Sequence, residues 1–271
     1  MAATTCIWFG VITDVITGLW VYFGRELPFK TLSYAMFFPT IVAFLFVDNI
    51  FDFVIRVSGV EQIGVSLLYG FLAGPISVGI VGICATAVVF LGWGVRTNFK
   101  QEGHNNVFLS ANFKQEGHNN VFAPAFMRAA GEEIGWRCFM LPCLMSYYSP
   151  GVALLISGII WGFFHVPVLI LLTGKMQPPK PYITVLVQCI ACVLSAFPHG
   201  WIAIKSGYSL WASTMMHSAW NRFNPAVLGS IYTQQPGYIE GDQWLINGEG
   251  LIGCIVMLPV AAFTLWDLSS Y

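Results

Sequence analysis

The chain has 271 residues, of which 56% are hydrophobic and only 9% are charged, and its formal net charge is −1. An ordinary soluble domain carries about a quarter charged residues, so this composition argues against a soluble protein. A near-neutral chain also lacks the basic surface that nucleic-acid binding needs, so nucleic acid is not expected as a partner. The composition indicates an integral, multi-pass membrane protein in contact with the lipid bilayer.

Long apolar segments predict an all-α fold, a polytopic bundle of transmembrane helices. A helix needs about 20 apolar residues to cross a bilayer, and the stretches 62–95, 138–174 and 181–204 contain no Asp, Glu, Lys or Arg. Continuous runs of this length differ from the short alternating strands of a closed barrel. The predicted spans, about eight in number, are 5–23, 33–54, 64–93, 124–148, 151–173, 181–204, 208–232 and 250–267.

The first and third spans decide how the chain is placed in the membrane. The N-terminal segment MAATTCIWFGVITDVITGLW lacks the basic start and the cleavage site of a secretory signal, so we expect it to be retained as a span.

Segment 64–93 is either one span or a broken pair. If it is one span, most basic residues fall on one side, which the positive-inside rule makes cytoplasmic: Arg25, Lys30, Arg96, Lys100, Lys114, Lys175 and Lys180.

The seven cysteines are scattered through apolar segments, which favours free thiols over a disulfide framework. Cys189 and Cys192 form a lone C-x-x-C, but a structural zinc site needs two more ligands. We therefore interpret this pair as part of a helix-packing surface.

The segment NFKQEGHNNVF occurs twice, at 98–108 and 112–122. Solenoid repeats are longer and usually number three or more, whereas loops tolerate insertions because closure entropy grows slowly with length. We interpret the repeat as a tandem duplication or a gene-model artefact within a loop. The identical contexts of His104 and His118 indicate copying, so neither receives a catalytic role.

Three ionisable residues stand in GEEIGWRCFMLP, residues 131–142. A charge at membrane depth costs a few kcal/mol at least, so such residues usually face the bundle interior and indicate function. Glu133 and Arg137 are four residues apart on a helix, with the glutamate on the N-terminal side, and this spacing predicts an ion pair. Glu132 lies about 100° further round the helix and is left to act as a general base. The simpler alternative is that all three only join helices.

Two further motifs place polar groups on other spans. WGFFHVP, residues 161–167, puts His165 four residues after Trp161, and HSAWN, residues 217–221, puts His217 and Asn221 on one helix face. Each alone could be an interhelical hydrogen-bonding group. His199, between Pro198 and Gly200, is interpreted as structural.

Together, the motifs supply a carboxylate, two imidazoles and an amide, the groups needed to activate water and to stabilise an oxyanion. Glu132, His165 and His217 could equally hold zinc, because two histidines and a carboxylate suit that ion. The helix signature H-E-x-x-H is absent from the sequence. A cofactor therefore stays open at this point, with zinc as the candidate.

The three motifs, in this order, resemble the signature blocks of the CPBP family, the CAAX-protease and bacteriocin-processing membrane proteins. The blocks read E-E-x-x-x-R, an aromatic residue followed by x-x-x-H, and H-x-x-x-N, and here they lie between about residues 124 and 232. The second block opens with Trp161, where the family pattern usually has phenylalanine. The resemblance divides the chain into N-terminal spans with the duplicated loop (1–123), a catalytic core (124–232), and a C-terminal loop with the last span (233–271).

The resemblance implies an intramembrane endopeptidase acting on a membrane-associated protein or peptide, which could be a prenylated CAAX-type substrate. It implies that Glu132 and His165 activate water, that His217 and Asn221 stabilise the oxyanion, and that Glu133 and Arg137 support the site. Whether a metal takes part stays open. The alternatives are a non-catalytic scaffold or bacteriocin-immunity-type protein, and a proton-coupled carrier, although the sequence lacks the inverted repeats typical of carriers.

Overall fold

A computed structural model describes residues 3–97 and 122–270 of the chain. These residues are predominantly helical, which confirms the predicted all-α membrane bundle. The duplicated loop lies, but for Phe122, outside the described residues, as do His104 and His118. The helices are α1 (Ala3–Phe23), α2 (Phe29–Leu32), α3 (Phe38–Phe46), α4 (Ile50–Ser58), α5 (Ile63–Phe90), α6 (Phe122–Gly135), α7 (Leu141–Met145), α8 (Pro150–Met176), α9 (Pro181–Lys205), α10 (Leu210–Leu228), α11 (Gln243–Ile246) and α12 (Leu251–Asp267).

Short elements complete the chain. A π-helical turn, Trp136–Met140, joins α6 to α7 without a break, and 3₁₀ turns cover Ser33–Phe37, Val60–Gln62 and Leu268–Ser270. Two short antiparallel strands, β1 (Val95–Arg96) and β2 (Ile239–Glu240), pair Val95 with Glu240 and Arg96 with Ile239. This pairing ties the end of α5 to the loop that follows α10.

Six segments of the described chain are long and apolar enough to cross a membrane: Thr4–Phe23, Phe29–Phe46, Ile50–Phe90, Pro150–Met176, Pro181–Lys205 and Gln243–Ser270. The other two predicted spans, 124–148 and 208–232, are helical as α6–α7 and α10 but are less apolar, because they carry the polar motifs. Helix α10 packs against α5, and α6 packs against α10 and α3, so these polar helices lie within the bundle.

One predicted span is interrupted in the structure, and another, for which the sequence left two alternatives, is a single helix. The predicted span 33–54 ends early, since Val47 is extended and Asn49 caps a new helix by accepting hydrogen bonds from the N–H groups of Phe51 and Asp52. Segment 64–93, in contrast, is one helix from Ile63 to Phe90, with Pro75 inside it. The chain therefore crosses once there.

Basic residues gather at one end of the bundle. The Lys175 ammonium donates to the backbone carbonyl of Arg25, Arg96 lies in the strand pair, and Lys180 sits 4.3 Å from the centroid of the Trp244 ring. We call this the basic end, defined by Arg25, Arg96, Lys175 and Lys180. Its assignment to the cytoplasmic side stays a prediction of the positive-inside rule.

The prediction of free thiols is wrong for two of the cysteines. Cys6 of α1 and Cys143 of α7 form a disulfide across a sequence separation of 137 residues, with their Cα atoms 5.9 Å apart. Only the packing of α1 against α7 brings them together, and no local spacing could indicate it. The other five cysteines are free, including Cys189 and Cys192.

The outer surface of the bundle is apolar. Large side chains such as Phe90, Leu45 and Phe71 are 88%, 74% and 68% exposed. Exposed apolar side chains in such number would be a liability in water but suit contact with lipid tails. The protein is thus an integral multi-pass membrane protein.

Candidate active site

The three sequence motifs meet at one cavity of about 310 Å³ inside the bundle. Glu132 from α6, His165 from α8, and His217 with Asn221 from α10 all line it. Glu133 and Arg137 are not part of the lining and lie buried behind it. The cavity therefore brings together four of the six residues singled out in the sequence, with the other two in support.

Helix α6 can approach α3 closely because its GEEIG sequence has glycines on the facing side. A Cβ on Gly131 would overlap the Phe37 ring, and a Cβ on Gly135 would overlap Pro39. The Thr40 hydroxyl adds a hydrogen bond to the carbonyl of Gly131, at 2.6 Å. These contacts fix the height and rotation of the helix that carries both glutamates.

Trp161 connects the first motif to the second. Its indole Nε1–H donates to Glu132 Oε2 at 2.8 Å, and its backbone carbonyl lies 2.8 Å from His165 Nδ1. Because a carbonyl can only accept, Nδ1 of His165 carries the proton and the neutral ring has its lone pair on Nε2. Trp161 thus occupies one polar atom of each side chain, so the other oxygen of Glu132 and Nε2 of His165 remain available to a reactant.

The predicted Glu133–Arg137 ion pair is present, and it includes His217. Glu133 Oε1 lies 3.4 Å from Arg137 Nη1 and 2.7 Å from His217 Nδ1, and all three side chains are at most 5% exposed. The Arg137 guanidinium also lies 3.9 Å from the centroid of the Trp161 ring, a cation–π geometry. Nδ1 of His217 therefore faces Glu133, and the ring's other nitrogen is left for the cavity that His217 lines.

Asn221 lies one turn after His217 on α10 and also lines the cavity. Within the described chain its side-chain amide makes no hydrogen bond, so it is available to a ligand. Helix α10 begins at Leu210, and the hydroxyl of the preceding N-cap residue, Ser209, accepts from the N–H of Ala212. This N-cap sets the start of the helix and hence the face on which both residues stand.

His199, which the sequence led us to interpret as structural, also lines the cavity. Its ring centroid is 5.5 Å from that of Trp161 and 5.8 Å from that of His217. Nδ1 lies 2.8 Å from the carbonyl of Ser195, and the buried Nε2 has no hydrogen-bond partner. No motif marked this residue, because its neighbours come from other helices.

A second group of polar residues in the wall was missed altogether. Glu249 lines the cavity and accepts from Trp220 Nε1 at 3.0 Å, while Gln188 Nε2 donates to the Tyr232 hydroxyl at 2.6 Å. The only sequence signal was a carboxylate standing just before the last apolar span. These residues add a second carboxylate and a phenol to the site.

The loop that carries Glu249 is held by buried amides. Asn224 Nδ2 donates to Asn247 Oδ1 at 2.9 Å, and the N–H of Gly248 donates to Asn224 Oδ1 at 3.0 Å. Asn247 Nδ2 reaches the carbonyl of Gly229 at 2.6 Å. These bonds attach the loop to the end of α10 and so position Glu249 at the cavity.

The residues considered as zinc ligands each have one polar atom engaged by a protein contact and are not arranged as a metal centre. In the described part of the chain, no group of three His, Cys, Asp or Glu side chains is placed to hold a metal ion. Glu132 accepts from Trp161, and His217 faces Glu133 through Nδ1. The predicted set of Glu132, His165 and His217 does not fit a metal centre as arranged, so we derive no step through a metal.

A known family model matches the part of the chain that carries the three motifs. Residues 118–223 match the family model described as Type II CAAX prenyl endopeptidase Rce1-like. All three motifs lie in that range, whereas Tyr232 and Glu249 lie beyond it. A search of curated protein sequences found no match to the chain.

Proposed function

We propose that the chain is a CAAX-type endopeptidase of the CPBP family of intramembrane proteases, in which Glu132 and His165 activate water. The observation that carries this proposal is the shared cavity, lined by Glu132, His165, His217 and Asn221. A general base, an imidazole and two further donors lining one cavity are the groups that peptide hydrolysis needs.

In the proposed reaction, a water molecule is held between the unbound oxygen of Glu132 and Nε2 of His165. The water oxygen attacks the scissile carbonyl carbon, and Glu132 takes its proton as the new C–O bond forms. Collapse of the tetrahedral intermediate breaks the C–N bond, and the departing amine receives that proton. Glu132 thus ends the cycle as a carboxylate, with no net change in the protein.

The oxyanion formed by the attack needs donors, and the proposal assigns these to His217 and Asn221. His217 holds Glu133 through Nδ1, so a positive charge on its ring is compensated by a carboxylate while Nε2 donates. The amide of Asn221, one turn along α10, is a second donor. Arg137 keeps Glu133 charged and in place through the ion pair.

The proposed substrate is a membrane-associated peptide, and the cavity wall supports a lipid-modified one. Apolar side chains of α1, α2 and the following turn also line the cavity: Val21, Phe29, Leu32, Ala35 and Met36. A prenyl chain could lie along this wall, which would leave the peptide bond next to it near Glu132. A free peptide without the lipid would forgo that apolar contact.

The test is cleavage of prenylated and unprenylated C-terminal peptides by the purified protein in detergent, with and without chelator. Wild type should cleave the prenylated peptide in chelator, and Glu132→Gln and His165→Ala should each lower the rate by roughly 10²- to 10⁴-fold. Glu26→Gln is the matched control, because Glu26 is 86% exposed and lies outside the cavity.

Three other outcomes would contradict the proposal or favour a different function. Full activity in both site variants would refute the assignment of Glu132 and His165. Activity lost in chelator and restored by zinc would return a metal to the site. No cleavage of either peptide, with the fold intact by thermal unfolding, would favour the non-catalytic scaffold.

A further inference from the structure

Arg128 lines the cavity together with the reacting groups, and neither the motifs nor the proposed chemistry uses it. It lies one turn before Glu132 on α6, and Ala125, Arg128 and Glu132 at positions i, i+3 and i+7 all line the cavity. Helical periodicity places these three on one face. Among the described lining residues, Arg128 is the one lysine or arginine.

Arg128 forms no ion pair within the described chain. The buried Arg137 pairs with Glu133 at 3.4 Å, but no described carboxylate lies within 4.0 Å of Arg128. A guanidinium facing a cavity inside a membrane bundle is costly unless an anion balances it. This points to an anionic group on the ligand.

We propose that Arg128 binds the free C-terminal α-carboxylate of the substrate. The inference rests on the proposed function, because it takes a C-terminal peptide as the ligand. A guanidinium matches a carboxylate with two parallel N–H···O bonds, which gives both affinity and orientation. Glu132 and Glu249, the two carboxylates in the wall, repel the same group and so direct it to the Arg128 end.

The spacing on α6 fits the length of the peptide to be released. A CAAX motif has three residues after its lipidated cysteine, and three extended residues span at most about 10 Å. Arg128 and Glu132 are separated by about 6 Å of helix, and the long arginine side chain adds to that distance. A peptide bond beside Glu132 and a carboxylate at Arg128 are therefore compatible with one extended tripeptide.

Binding can be measured without turnover in the Glu132→Gln background. The probes are two fluorescent prenylated peptides that differ only at the C-terminus, one a free acid and the other an amide. With Arg128 present, the acid should bind roughly ten- to a hundredfold more tightly than the amide, as expected for a charge-assisted pair. Adding Arg128→Gln should bring the ratio of the two Kd values close to one, with the amide unaffected.

Two controls isolate the effect. Arg128→Lys keeps the charge without the forked geometry and should retain part of the preference. Arg25→Gln removes an arginine that is 56% exposed and outside the cavity, so the preference should remain intact.

The outcomes separate this inference from the proposed function. A preference for the acid that survives Arg128→Gln would overturn the carboxylate subsite, as would equal binding of acid and amide or no binding of the acid. Preference lost with Arg128, in a protein whose wild type cleaves neither peptide, would support the subsite and reject the peptidase. If wild type cleaves the peptides but binds the acid and the amide equally, the peptidase is supported and the carboxylate subsite is rejected.

Discussion

Removing either partner of the buried Glu133–Arg137 pair should destabilise the protein, but by unequal amounts. Glu133→Gln leaves the Arg137 guanidinium, which is 1% exposed, with no carboxylate within 4.0 Å in the described chain. An uncompensated buried charge costs roughly 3–5 kcal/mol. Arg137→Met leaves Glu133 bonded to His217 and should cost less, roughly 1–3 kcal/mol. The double variant lacks both charges of the pair and should resemble Arg137→Met alone.

Thermal unfolding in detergent can measure all three variants. Four of the five free cysteines are buried, so a thiol-reactive dye reports the loss of structure. A cost of 1 kcal/mol lowers the Tm by about 2–4 °C in domains of 150–250 residues, so Glu133→Gln should lower it by roughly 6–20 °C. Arg137→Met should produce a clearly smaller shift.

The double-mutant cycle decides whether the charges are coupled. If the effects of the two substitutions simply add, the pair contributes no interaction energy and the buried-charge argument is wrong. If all three variants unfold within a degree of wild type, water reaches Glu133 and the site is less enclosed than its geometry indicates. Exposed Arg25→Gln serves as the reference for a neutral loss of an arginine.

Two further predictions concern contacts between helices. Trp161→Phe removes the N–H that bonds Glu132 but keeps an aromatic ring under Arg137. Peptide cleavage should therefore fall by roughly tenfold or more, with little change in Tm. An unchanged rate would mean that Glu132 is positioned by other contacts. Alkylation of the unfolded, unreduced protein should modify five cysteines, and alkylation after reduction should modify seven. Seven reactive thiols without reduction would refute the Cys6–Cys143 bond. Cys143→Ser should lower the free energy of unfolding by about 2–4 kcal/mol.

Most of the contacts that the sequence predicted came from the periodicity of residues along single helices. The Glu133–Arg137 contact follows from a four-residue spacing. The cost of charge at membrane depth singled out Glu132, which lines the cavity, along with that buried pair. The cap at Asn49 was also readable in principle, because Asn is a favoured N-cap residue. It was hidden by the apolar residues on both sides.

Contacts between helices distant in sequence could not be predicted in this way. His199 and Glu249 owe their place in the wall to the packing of α9 and of the loop before α12, which no spacing within either segment encodes. The same is true of Cys6 and Cys143, which are 137 residues apart in sequence and come together only because α1 packs against α7. Trp161 was noticed for its position beside His165, but its bond to Glu132 depends on how α8 faces α6.

The wall formed by Tyr232 and Glu249 bears on the order in which the protein acquires activity during its synthesis. All three motifs emerge from the ribosome before either residue, and the loop that holds Glu249 is attached to α10 through Asn224, Asn247 and the bond from Trp220 to Glu249. A nascent chain that has inserted α10 would have its reacting groups together but one side of the chamber still open. If the proposed chemistry needs this wall, activity would appear only once the last helix is in place.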